Sequence, residues 1–355
     1  MLKRNSNIEL LRILSMIMII LGHCNIYGNY DITNMNHFFN KFVIGNTYLG
    51  NLGVIIFVLT TGYFMIQKEI RIKKVILFEL QVLFYSVGIY ILFCVISISN
   101  FNLKEMIKCF FPIITKQYWF FSVYIIFYLF IPYVNKFILS LNKKDLNRYI
   151  LMMIICFSIV PTFWSVDFLK NELLQFLLFY SLGAYVNINI DYFKNNKKIK
   201  YILLLCIIIL FAYTSGLIFL SKYNANLLNK MFFLSYRSSI LMIIIAICLL
   251  SIFLSFKNFS SKIINNISSC VFGIYLIHDN PNVRVLLWNN IFSGSKFINS
   301  YFLILYMILS VLIIFTISLL IELIRKYTIE KFNIKCLDMI SKQYYKIIEK
   351  NKKLI

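Results

Sequence analysis

Residues 8–28 read IELLRILSMIMIILGHCNIYG, an apolar run that carries a glutamate, an arginine and a histidine. About twenty mostly apolar residues are enough for one α-helix to cross a lipid bilayer. No small-x-small cleavage pattern follows the run, and Glu9 and Arg12 lie within it. We therefore expect a first membrane helix that is retained rather than a secretory signal that is removed.

Similar apolar runs recur along the whole chain. Of its 355 residues, 60% are hydrophobic and 14% charged, whereas a soluble domain has about 25% charged residues. So little polar surface cannot cover a water-soluble fold of this size. The sequence predicts an all-α integral membrane bundle of about ten helices. The predicted spans are residues 8–28, 48–66, 75–97, 118–135, 149–164, 172–188, 199–221, 234–256, 267–288 and 301–324.

The basic residues predict an orientation. With the N-terminus in the cytoplasm, the cytoplasmic segments hold 25 Lys and Arg residues and the outer loops hold eight. Lys and Arg are enriched in the cytoplasmic loops of membrane proteins. We therefore predict a multi-pass protein of the cell membrane with both termini in the cytoplasm. The net charge of +22 does not indicate nucleic-acid binding, because the basic residues lie in short loops between apolar runs.

The chain is predicted to form one membrane domain, residues 1–326, followed by a basic, amphipathic cytoplasmic tail, residues 327–355. Such a tail is expected to lie along anionic lipid headgroups. The eight cysteines form no C-x-x-C pair, and most of them fall in apolar runs. Neither a disulfide framework nor a metal site is predicted.

Three polar side chains of the first span share one helix face. Arg12 and His23 are eleven residues apart, which is about three full turns, and Glu9 precedes Arg12 by three residues. The rise from Arg12 to His23 is about 16 Å, roughly half the hydrocarbon thickness. Charged residues inside a span are functional candidates. The alternative is an interfacial Glu9–Arg12 ion pair and a His23 that only caps the helix.

A second histidine occurs in the ninth span, in Tyr275-Leu-Ile-His278, and is predicted at a depth similar to that of His23. Pro281 is expected to kink or end this helix, and non-helical backbone at that depth normally lines a cavity. A buried histidine bonded to a carbonyl is the alternative for His278. Four further candidates for substrate binding are Thr61, Trp119, Arg237 and Arg284.

Three of these four residues also have plainer interpretations. Thr61, with the neighbouring small residues Gly53 and Gly62, favours close helix packing. Trp119 is typical of an interfacial aromatic belt, and Arg237 of a side chain that reaches toward the headgroups.

In their order and spacing, five motifs resemble the membrane acyltransferase-3 family. They cover nearly the whole chain, from about Asn5 to Lys326, with Thr60-Thr61-Gly62 where many relatives have Ser-Gly. The motifs are Arg12-x10-His23 with Glu9 before it, the segment Gly53–Tyr63, the start Tyr118-Trp119-Phe120, the stretch Tyr128–Pro132, and Tyr275–His278.

The resemblance implies a ten-helix domain that moves an acyl group, usually acetyl, from acyl-CoA to a hydroxyl of a glycan or other acceptor. It implies that His23 is the catalytic residue and that Arg12 contributes to the acyl-donor site. With Glu9, these residues are the candidate catalytic set. The stretch Ser268–Trp288 is similar to the branch of the family that modifies capsular and other surface polysaccharides. The expected partners are therefore acyl-CoA, a glycan or lipid-linked glycan, and membrane lipids.

The chemistry of these residues fits that activity. A neutral imidazole, with an unperturbed pKa of about 6.5, suits removal of a proton from a sugar hydroxyl. Arg12 and nearby basic loop residues, namely Lys68, Arg71, Lys73 and Lys74, are suited to bind the phosphates of the donor. His278 or Arg284 is expected to stabilise the oxyanion or to orient the acceptor.

Two alternatives from other classes are a transporter or flippase for lipid-linked oligosaccharide and a polysaccharide polymerase. Many spans and basic cavities fit a transporter equally well, but the internal repeats with broken helices that are typical of transporters are not seen. The polymerase is disfavoured because the longest predicted outer loops have only about twenty residues.

Overall fold

A computed structural model describes residues 5–47, 49–164 and 170–340 of the chain, and the regular structure of these residues is entirely helical. The α-helices are α1 (Ser6–Tyr27), α2 (Phe38–Asn46), α3 (Leu49–Met65), α4 (Ile72–Val95), α5 (Leu103–Phe110), α6 (Trp119–Ser140), α7 (Lys143–Ile154), α8 (Val160–Phe163), α9 (Glu172–Ile188), α10 (Ile190–Asn195), α11 (Lys198–Leu220), α12 (Ile240–Ser255), α13 (Lys262–His278), α14 (Pro281–Val285) and α15 (Leu303–Arg325). Short 3-10 segments are Ala225–Lys230, Phe233–Ser235 and Ser295–Phe297, and π turns are Ile155–Ile159, Leu286–Ile291 and Lys326–Glu330.

Each of the ten predicted spans overlaps a helix of the structure. In the described part of the chain, seven helical segments are long and apolar enough to cross a bilayer, or eight if Ala225–Ser235 and Ile240–Ser255, bent by 40°, form one span. The apolar helix α9 is shorter, with 17 residues. The all-α membrane fold is thus confirmed. The count of about ten spans and the cytoplasmic position of both termini stay predictions.

Two of the differences between predicted spans and observed helices involve candidate site residues. The predicted span 267–288 is broken, because α13 ends at His278 and Pro281 begins α14. The predicted break at Pro281 is confirmed, since proline lacks the N–H that an interior helical residue must donate. The predicted span 234–256 begins later, at Ile240, so Arg237 lies in the turn before α12 rather than inside it.

Helix α3 packs between α1 and α9 at distances that only glycine permits. A Cβ atom at Gly53 would lie 2.4 Å from the carbonyl oxygen of Ser15 in α1. A Cβ atom at Gly62 would lie 2.0 Å from the carbonyl oxygen of Tyr180 in α9. The close packing predicted for Gly53 and Gly62 is therefore confirmed, and it places α1 at the centre of the bundle, where it also packs against α12, α13 and α15.

The periphery of the bundle is apolar. Leu204, Leu205 and Ile208 of α11 are each more than half exposed. Such a surface is unfavourable in water but matches a hydrocarbon environment.

The last helix continues past the predicted domain boundary. Its helical conformation extends from Leu303 to Ile340, and the boundary at residue 326 falls within this helix, at the π turn Lys326–Glu330. The remainder of the predicted tail, residues 341–355, lies outside the described residues. The association of the tail with lipid headgroups stays a prediction.

Candidate active site

A cavity of about 400 Å³ lies within the bundle, between α1, α3, α4, α6 and α13. Its wall includes both Arg12 and His23, so the polar stripe of α1 faces one continuous space. Thr61 of α3 and Trp119 of α6 also line it. The rest of the wall is largely apolar and aromatic, with side chains such as Phe57 of α3.

At one end of the cavity, Arg12 is held in place by an ion pair with the more deeply buried Glu9. Its Nη1 lies 3.2 Å from Oε2 of Glu9, and the arginine side chain is 30% exposed whereas that of Glu9 is 5% exposed. The same carboxylate oxygen accepts a hydrogen bond from the hydroxyl of Ser268 in α13. Lys74 of α4 lines the cavity as well. Glu9 therefore fixes Arg12, and two cationic side chains border the space.

At the other end, His23 contacts a second histidine. Nδ1 of His23 lies 3.1 Å from Nε2 of His278, and Nδ1 of His278 lies 2.7 Å from the carbonyl oxygen of Ile274. The side chain of His23 is 13% exposed, whereas His278 is fully buried. The two histidines that were predicted at similar depth thus form a directly bonded pair, of which His23 lines the cavity.

An ion pair lies beside the two histidines. Oδ1 of Asp279 is 3.6 Å from Nδ1 of His23 and 3.3 Å from Nε of Arg284. Arg284 also donates to the backbone carbonyl of Asp279 at 3.0 Å and to the hydroxyl of Tyr27 at 3.2 Å. Arg284 therefore anchors Asp279 to the end of α1, and Asp279 places a buried carboxylate next to His23.

The remaining predicted binding residues form a separate group at the start of α6. The guanidinium carbon of Arg237 lies 4.3 Å from the centre of the Trp119 ring, and Nη2 lies 3.7 Å from Oε1 of Glu172. Because Trp119 lines the cavity, this aromatic and charged group lies next to it. In the described chain, Arg237, His278, Arg284 and Glu9 are not among the lining residues.

Two residues that the sequence did not single out as site residues emerge from the structure. Asp279 directly follows His278 and precedes the helix-breaking Pro281, and this position in the sequence is the signal that could have identified it. In the structure both Asp279 and His278 are buried. Ser268 bonds to Glu9 across 259 positions of the chain, so sequence spacing gives no hint of the contact.

The fold and the site together define a polytopic membrane protein that encloses a cavity with cations at one end and an imidazole at the other. Comparison with known protein families gives its affiliation. Residues 5–322 match the acyltransferase 3 family model, which describes an acyltransferase domain. The chain belongs to this family and is a membrane acyltransferase that transfers groups other than aminoacyl groups. No curated protein and no solved structure matches it.

Proposed function

We propose that this acyltransferase moves an acyl group, typically acetyl, from acyl-CoA to a hydroxyl of a cell-surface polysaccharide or of its lipid-linked precursor. One observation carries the proposal. A single cavity joins Arg12 to His23, and these residues are separated by about 16 Å along α1. The site therefore suits a long, thin donor with an anionic head and a reactive far end.

The donor enters from the cytoplasm in this proposal, at the end of the cavity that carries Arg12. The phosphates of acyl-CoA bind to Arg12 and Lys74, because charge-assisted hydrogen bonds to phosphate are strong and guanidinium is well suited to them. The apolar wall, which includes Phe57, then accommodates the acyl-pantetheine arm. This places the thioester beside His23.

His23 acts as the general base. It takes the proton from the acceptor hydroxyl while the hydroxyl oxygen attacks the thioester carbonyl. The carbon–sulfur bond then breaks, and the thiolate leaves with the proton that His23 returns. The products are an ester of the acceptor and free CoA, so atoms and charge balance.

The acceptor approaches past Trp119 in this proposal. An indole ring stacks well on the apolar face of a sugar, and the neighbouring Arg237–Glu172 pair offers donors and acceptors to sugar hydroxyls. These features support a glycan as the acceptor.

The first test replaces His23 by alanine. We expect loss of the acyl group from the surface glycan of cells that carry the gene, measured by mass spectrometry, because the base is removed. His37→Ala is the matched control, since the His37 ring contacts that of Tyr301 with 4.9 Å between the ring centres, and His37 is not among the described lining residues. Full retention of acyl groups in the His23 variant would contradict the catalytic role.

The second test concerns the donor site. Arg12→Ala is expected to raise the apparent KM for acyl-CoA roughly 10- to 100-fold, because a charged hydrogen-bond donor is lost. The control is Arg148→Ala, whose side chain is 69% exposed and pairs with Asp145. An unchanged donor KM in membranes that contain the Arg12 variant would rule out a donor site at this position.

A further inference from the structure

His278 is bonded to the reaction centre but is separated from the cavity. It is fully buried, it is not among the described lining residues, and its two ring nitrogens face Ile274 and His23. A side chain so placed does not reach an acceptor or an oxyanion, which are the roles expected for it from the sequence. Its effect on the reaction must therefore act through His23.

We infer that His278 is a positioning residue that holds His23 in the tautomer whose Nε2 is free to accept a proton, and that Asp279 stabilises the charge formed there. This inference rests on the proposed function, in which His23 is the general base. It concerns how the base is prepared rather than which substrates are used.

The tautomer of each imidazole ring follows from which of its nitrogens donates a hydrogen bond and which accepts one. The carbonyl oxygen of Ile274 can only accept, so Nδ1 of His278, 2.7 Å away, carries a hydrogen. In a neutral His278 the other nitrogen, Nε2, then has a lone pair. It accepts from Nδ1 of His23 at 3.1 Å, so the hydrogen of a neutral His23 is on Nδ1. The lone pair of His23 is left on Nε2, at the opposite edge of the ring.

The neutral form of His278 is favoured by its surroundings. The ring is fully buried, and a charge that is removed from water is unfavourable unless it is paired. In the described chain the ion pairs of Asp279 are with Nε of Arg284, at 3.3 Å, and with Nδ1 of His23, at 3.6 Å, and not with His278. The hydrogen on Nδ1 of His278 is fixed by the carbonyl, so the pair His23–His278 has one consistent arrangement of hydrogens.

Asp279 acts during the reaction, when His23 becomes charged. Proton transfer from the acceptor hydroxyl to Nε2 turns His23 into an imidazolium ion. Oδ1 of Asp279, 3.6 Å from Nδ1 of His23, then faces a positive charge. Its position resembles that of a carboxylate that orients and stabilises a catalytic histidine. The proton returns from Nε2 to the departing thiolate, so the ring is neutral again after each cycle.

The kinetic test compares two replacements of similar size. In His278→Gln, the amide oxygen can still accept from Nδ1 of His23, whereas in His278→Leu no acceptor is left. We expect His278→Leu to lower kcat about 100-fold or more, with the KM for acyl-CoA unchanged, and His278→Gln to recover most of the activity. Equal activity of the two variants would overturn the positioning role.

A spectroscopic test reads the tautomer directly. The chain has only three histidines, so nitrogen-15 labelling of histidine gives few signals, and His37→Gln and His278→Gln assign them. We expect His23 in the wild-type protein to show a protonated Nδ1 and an unprotonated Nε2. In His278→Leu this preference is expected to disappear. The opposite tautomer in the wild type, or an unchanged tautomer in His278→Leu, would overturn the inference.

The variant Asp279→Asn separates the positioning role of His278 from the charge stabilisation by Asp279. We expect the tautomer of His23 to be retained in this variant and kcat to fall roughly 10-fold, because the imidazolium ion loses its counter-charge. A wild-type kcat would overturn the stabilising role of Asp279. If His23→Ala were active while His23 showed the expected tautomer, the proposed function would fail and the positioning geometry would stand, so the two failures are distinguishable.

Discussion

The bundle contains two buried polar clusters that differ in how completely their members are bonded. The His23 cluster consists of His23, His278, Asp279 and Arg284. The Glu322 cluster consists of Glu322 in α15, the arginine that pairs with it, and the side chains that bond to either of these two residues. Glu322 and Asp279 are each 1% exposed, so burial alone does not distinguish them.

The Glu322 cluster is saturated with hydrogen bonds. The carboxylate accepts from Gln81 at 3.0 Å, from Tyr85 at 2.6 Å and from Arg325 at 2.8 Å through both Nε and Nη2. Arg325 also reaches Glu330 at 2.5 Å. These bonds tie α4 to α15. In the described chain, none of these five residues lines the cavity.

The His23 cluster is bonded less completely. Both carboxylate oxygens of Asp279 and Nε of Arg284 are buried without a hydrogen bond in the described structure, although they are close enough to form ion pairs. His23 faces the cavity. A cluster whose polar groups are all hydrogen-bonded stabilises the fold. Polar groups beside a cavity that lack a hydrogen bond are instead available to stabilise charge that appears during a reaction.

The largest effect on stability is therefore expected from Glu322→Ala. Among the described residues, removal of the carboxylate leaves Arg325 with Glu330 as its one carboxylate partner. Breaking a buried ion pair from one side costs about 3–5 kcal/mol. The unfolding temperature in detergent should fall strongly, while the molecules that remain folded transfer acyl groups at an unchanged rate.

Two variants serve as comparisons for Glu322→Ala. Ile321→Ala changes an adjacent side chain that is 42% exposed, and little effect is expected. Asp279→Ala removes an equally buried carboxylate, yet Arg284 keeps its bond to Tyr27, so a loss of only about 1–2 kcal/mol is expected. If Asp279→Ala destabilised the protein as much as Glu322→Ala, the distinction between the two clusters would fail.

Much of the fold was predictable because the bilayer fixes the length of an apolar helix. The helix bounds were less predictable at α12, where a 3-10 segment and a turn precede Ile240. The short helices α2 and α5 were not predicted, since nine and eight residues are each too few to produce a spanning pattern. Local geometry of this kind depends on tertiary contacts that hydropathy does not contain.

The site was predictable to the extent that one helix determines it. Eleven residues make about three turns, so the common face of Arg12 and His23 followed from helix geometry. Contacts between helices did not follow from it. The sequence left open whether His278 is buried, and it could not show that Asp279 lies beside His23 or Glu322 beside Gln81.

An intermediate effect is expected from Gly273→Ala. A Cβ atom at Gly273 in α13 would lie 2.2 Å from the carboxyl carbon of Glu322, so the carboxylate must move away from its partners. Overpacking of this kind costs about 1–3 kcal/mol. Gly88→Ala is the control, because nothing lies within 4 Å of its Cβ position and alanine favours a helix. Equal unfolding temperatures for the two variants would show that the Glu322 cluster tolerates displacement.

The smallest effect on stability is expected at an ion pair that is exposed to solvent. Nζ of Lys73 lies 2.5 Å from Oδ1 of Asp338, and the two side chains are 44% and 54% exposed. Exposed pairs contribute about 0–1 kcal/mol, because solvent screens the charges and ordering both side chains is entropically unfavourable. Asp338→Asn should therefore barely change the unfolding temperature, at low or high salt. A drop as large as that of Gly273→Ala would mean that this contact fixes the end of the last helix against α4, and that bond saturation in the buried clusters is not what sets stability at this side of the bundle.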